Sequence, residues 1–174
     1  MKKQIILIAM MCISVISFAQ KTTEESPEEN AEKLKEAMEM LFGAEVVMDV
    51  DKDLYPVAQG TSYFTQDEKA GIIAMVVPAS YEKMEGDLAQ QESKGGAEIL
   101  ERGTKEIGGK NMLFLKQRID REGTPYITLI YCMKNTEESS IVVTSFYEES
   151  KEKTYIASVN TAVASAKIKA KGKL

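Results

Sequence analysis

Alternating aspartates at Asp49, Asp51 and Asp53 are the residues whose spacing comes nearest to a chemical motif. Carboxylates set one residue apart begin a calcium loop, because a hard cation takes several converging oxygens. The pattern then fails. Leu54 stands where the sharp-turn glycine belongs, and Gly60 where a bidentate glutamate belongs. The three acids read as a strand running out into a solvated turn, and whether they hold a cation is a matter for geometry.

Histidine is absent. Its absence removes Ser-His-Asp and Cys-His nucleophile activation, imidazole general bases and histidine-containing zinc sites. Gly95-Gly96 and Gly108-Gly109 lack Walker or Gly-x-Gly-x-x-Gly spacing, so they read as a helix stop and a hairpin turn. Glu82, Glu85 and Glu92 fall on a helix surface, and Glu137-Glu138 and Glu148-Glu149 in or beside turns. Spacing alone cannot reveal a pair of carboxylates meeting in a cleft, as glycosidases require. The methionines are scattered singly along amphipathic elements, which suits core filling and not a thioether copper site. The sequence assigns no catalytic residue, no cofactor and no metal ligand.

The N-terminus carries an address. Lys2 and Lys3 precede an apolar run from Ile5 to Ile13, and Ser17-Phe18-Ala19 ends in small residues. That is a secretory signal peptide with cleavage between Ala19 and Gln20. The run is shorter than the roughly 20 apolar residues a membrane span needs. Cys12 lies inside it, not after a small residue at its end as a lipoprotein would place it. Cleavage leaves Cys132 as the single cysteine, within an apolar strand-like run, where burial is the expectation. Loss of two lysines deepens a whole-chain net charge already at −5. An acidic balance argues against nucleic acid as a partner. The expected protein is exported, periplasmic or extracellular, with no stable membrane span once the leader is gone.

The elements that would position any site follow from periodicity. A linker over 20–26 leads to Ser26-Pro27-Glu28-Glu29, a capped helix start, and an amphipathic helix closed by Gly43. Glu45–Val50, Thr61–Thr65 and Ala70–Val77 have strand character. Ser80 caps a second helix with Tyr81, Met84 and Leu88 on one face. Four strands follow at Glu98–Ile107, Asn111–Asp120, Pro125–Lys134 and Ser140–Tyr147, joined by connectors too short for a crossover helix. The strands at 125–134 and 140–147 are apolar on both faces. A last helix runs from near Ser150 to about Lys167, before a basic tail over 169–174. The expectation is one α+β domain over 27–168, a three-layer α/β/α sandwich on a mainly antiparallel sheet. The competing architecture is an NTF2- or cystatin-like curved sheet wrapping a helix around a pocket.

Strand Ala70–Val77 ending in Val77-Pro78, the helix after it, the Gly108-Gly109-Lys110 hairpin and the 111–147 meander resemble the Mog1/PsbP-like family. So does the closing helix, with Tyr155-Ile156, Val159, Val163 and the late Ser165. The resemblance spans roughly residues 60–168 by pattern and implies a scaffold used for binding and assembly, without a common active site. On this reading the protein is a non-catalytic envelope module whose partner is another envelope protein or a small ligand. The alternatives are a carrier with an NTF2-like cavity and a histidine-independent hydrolase.

Overall fold

The computed structural model describes residues 45–91 and 96–169. The leader with its Ala19–Gln20 junction, the linker, the helix expected to end at Gly43 and residues 170–174 lie outside them. In chain order the elements are β1 (Val46–Val47), β2 (Val57–Gln59), β3 (Ser62–Phe64), β4 (Gly71–Val77), α1 (Tyr81–Gln90) and β5 (Ala97–Ile107). There follow β6 (Lys110–Arg121), β7 (Thr124–Lys134), β8 (Ser140–Glu148), a 3₁₀ turn (Glu149–Lys151), α2 (Glu152–Ser165) and β9 (Lys167–Ile168).

Seven strands form one antiparallel sheet in the order β2-β3-β4-β8-β7-β6-β5. The chain leaves β4, crosses by way of α1 to the far edge, and returns through the β5–β8 meander to close on β4. β7 and β8 are buried at almost every position, as strands in the middle of a sheet covered on both faces must be. Two tight turns set the meander's register. Gly108 and Gly109 both take positive φ (59° and 75°), as do Glu122 and Gly123 (53° and 82°), which is what a two-residue hairpin matching the strand twist requires. Asp120 Oδ1 accepts the Gly123 N–H at 2.8 Å and holds the second turn.

The helices lie on opposite faces. Ser80 caps α1 as expected, its hydroxyl accepting the Lys83 N–H at 3.1 Å. Met84 and Leu88 of α1 are buried, and Glu82 lies 4.0 Å from Lys134 on the β7 face that also carries Cys132. α2 covers the other face. Its Val159, Ala162 and Val163 join one core with Met112, Phe114 and Leu129 of the sheet. Val46 and Tyr55 of the N-terminal segment belong to the same core. With a helix on each face the architecture is the α+β sandwich, not a sheet curved around a single helix.

The structure differs from the sequence expectation at four points. β2 has no counterpart in the sequence reading, since a three-residue strand with two exposed positions carries no periodic signal and exists through its ladder to β3. Of Glu45–Val50 only Val46 and Val47 pair, and the last helix ends at Ser165, not near Lys167. Lys167 and Ile168 pair with Val47 and Val46. Lys169, read as the first residue of the basic tail, extends that clasp, its N–H donating to Glu45 O and its Nζ to Glu45 Oε2, each at 2.8 Å.

Gly108 sits tight against the end of α2. A Cβ there would lie 2.7 Å from Ala164 Cβ, on a backbone with φ +59°, so side chain and conformation both oppose substitution. Gly108→Ala should cost about 1–3 kcal/mol, read as a lower urea midpoint with unchanged slope.

Candidate functional site

The most unusual chemistry in the described residues lies on the α2 side of the sheet. β7 and β8 place Tyr131 and Tyr147 on that face, because odd-numbered residues of both strands point the same way across their shared ladder. The turn after β1 adds Tyr55 and α2 adds Tyr155. Tyr155 packs on Tyr147 at 5.8 Å between ring centroids and on Tyr55 at 5.9 Å. Tyr131 rests on Phe114 at 5.1 Å, and the ammonium of Lys105 sits 4.3 Å from the centroid of that Phe114 ring.

Tyr55, Tyr131 and Tyr147 are essentially fully buried, and none of their hydroxyls has a hydrogen-bond partner among the described residues. An unmet buried hydroxyl costs about 1–3 kcal/mol, so three on one interface are a large share of the 5–15 kcal/mol that holds a typical domain together. Burial pushes the Tyr131 phenol up to about 12, with the carboxylates of Glu101 and Glu152 adding to the rise. Burial likewise raises Tyr55 and Tyr147 far above the ordinary phenol value, and Glu152 contributes at Tyr147. These side chains stay neutral and protonated. Their chemistry is hydrogen bonding, not nucleophilic attack or proton abstraction.

Outward from the phenols the seam becomes ionic. Lys116 Nζ donates to Glu152 Oε1 at 2.7 Å, joining β6 to the first residue of α2. Arg118 grips both carboxylate oxygens of Glu149, its Nε reaching each at 3.1 Å and its Nη2 also donating to Oε1. Its Nη1 donates to Glu98 Oε2 of β5 at 3.1 Å. Hydrogen bonding to Glu149 raises the guanidinium above its ordinary value. The acids sit at the positive end of α2 and the bases on the sheet beneath, so dipole and ion pairs agree. At the other end Lys110 Nζ donates to Ala164 O at 2.8 Å.

The residues singled out by sequence are placed elsewhere. Asp51 closes a local turn, its Oδ1 accepting the N–H groups of Asp53 (3.0 Å) and Leu54 (3.2 Å). Asp49 donates its N–H to Ser165 Oγ at 2.8 Å. Among the described residues no group of three or more acids or cysteines is placed to hold a metal ion. Ser165, noted only for its late position in the last helix, thus links that helix to the segment after β1. Glu149, read as a solvated turn acid, is instead the partner of Arg118. Nothing in the local spacing of Lys116, Arg118 or the tyrosines marks them, since each gains its neighbours from distant strands.

Cys132 lies on the opposite face, buried, with its thiol pushed up to about 11 by burial. A disulfide-exchange reagent at pH 8 should label it only after unfolding; rapid labelling of the native chain would contradict that placement. The phenols predict a second behaviour. Their folded pKa values exceed the unfolded value near 10, so as pH rises the unfolded chain releases its protons first. Stability is therefore intact below about pH 10 and declines above it, by about 1.4 kcal/mol per pH unit for each phenol. Urea unfolding between pH 9 and 12 checks this, and a flat profile would refute the burial.

No protein-family model and no curated protein matches the chain. Among solved structures it is similar to LpqN of Mycobacterium tuberculosis, a protein involved in cell envelope biogenesis. The identity is 11%, the overlap covers 71% of this chain and 82% of that one, and the TM-score is 0.49. A protein of unknown function from Pseudomonas aeruginosa, PA94, is similar at 12% identity over 70% of this chain and 81% of its own, with TM-score 0.42. The cyanobacterial PsbP (CyanoP) of Synechocystis is similar at 10% identity over 72% of this chain and 82% of its own, with TM-score 0.41. A PsbP is thus among the solved structures to which the chain is similar.

Proposed function

We propose that the protein is exported to the cell envelope and works there as a non-catalytic accessory module, binding a partner protein or a small ligand. Export is supported by the leader: Lys2 and Lys3, the Ile5–Ile13 run and the small residues ending at Ala19. No helix among the described residues is long and apolar enough to cross a membrane. The observation that carries the non-catalytic half is the chemistry of the α2 seam. Its phenols are held neutral by burial, and Lys116 and Arg118 are each committed to a carboxylate of the same chain. Such a seam serves packing, not nucleophilic activation.

Two measurements test the halves separately. Expressed in a two-membrane bacterium, the chain should be recovered from the periplasm or the medium with Gln20 at its N-terminus. An intact soluble precursor in the cytosol would end the export reading. Purified protein should be inert across a broad hydrolase panel, and an activity abolished by one Asp or Glu substitution would end the non-catalytic reading.

A further inference from the structure

The tyrosine hydroxyls share their interface with another polar group. Ser145 of β8 lies on the same face, directly opposite Leu129 on one side and Ile72 on the other. Its neighbour two residues on is Tyr147, and Tyr131 stands diagonally across the ladder, two residues beyond Leu129. The Ser145 hydroxyl is buried and, like those of Tyr55, Tyr131 and Tyr147, has no hydrogen-bond partner among the described residues. A small side chain thus sits between large ones on this sheet face. Tyr55 and Tyr147, both packed on Tyr155, bring their rings over the same region.

Four buried hydroxyls on one interface need partners. Each can donate once and accept, and a buried water is held by two to four such groups. A charged occupant is disfavoured, because Lys116 and Glu152, the ion pair joining the sheet to α2, already neutralise one another at 2.7 Å. We propose that Tyr55, Tyr131, Tyr147 and Ser145 enclose an internal hydration site beneath α2, in which ordered water bridges the hydroxyls. The site belongs to the interior of the domain and does not depend on the export or binding reading.

Phenylalanine substitution separates the alternatives by sign. Bridging water makes each hydroxyl stabilising, so Tyr131→Phe and Tyr147→Phe should each lower the Tm of the full chain by about 2–4 °C. The double variant should lose less than the sum of the two, because both remove bonds to shared water. Hydroxyls that face nothing give the reverse, a raised or unchanged Tm and additive effects, and either result overturns the proposal. A measurement on the unmodified chain stands beside these. Water-selective nuclear Overhauser spectroscopy should show long-lived water contacts at residues 131, 145 and 147. Their absence there would overturn the site even if a variant failed to fold.

Discussion

β7 and β8 carry apolar side chains on both sides, so neither face of the sheet can be left to water. Everything on the α2 side answers that demand. Burying one large aliphatic or aromatic side chain is worth about 1.5–3 kcal/mol, and this face contributes Ile127, Leu129, Val143 and more to a single core. One helix of fourteen residues covers only part of such a surface. The segment from Val46 to Tyr55 covers more of it, and the β1–β9 ladder ties the two covers together.

The ion pairs have a different task. Lys116–Glu152 and Arg118–Glu149 are part-exposed, and pairs of that kind contribute little to stability. They are too weak to hold α2 down against water, yet their geometry is specific enough to choose where it lies. Bases on β6 meet acids at the helix start, while Lys110 meets the last carbonyls of the helix. With Gly108 close against Ala164, the helix is held at both ends along its length. That placement brings Tyr155 between Tyr55 and Tyr147, and so forms the aromatic cluster.

How much could be read in advance differs from element to element. The meander, the Ser80 cap and the central position of β7 and β8 follow from local period and turn residues, because hydrogen bonds between adjacent strands obey short connectors. The burial of Cys132 follows from its apolar run. β2 and β9 escaped, being too short to carry a period and held only by pairing with β3 and β1. The three aspartates looked like a site because their spacing is local, and Asp51 uses its carboxylate for a local turn. Glu149 looked ordinary because its partner lies 31 residues away.

By itself the sequence determined the alternation of apolar and polar positions, the turns, the leader pattern and a side-chain inventory without histidine. These are properties of neighbours along the chain, governed by backbone geometry and residue type. The tertiary structure alone decided which polar groups would share an interior. Tyr55 and Tyr147 come from opposite ends of the domain, and Lys116 reaches across 36 residues to Glu152. The physical reason is that desolvation and ion pairing act through space. A tyrosine's hydroxyl becomes costly or useful only once packing has taken water away from it.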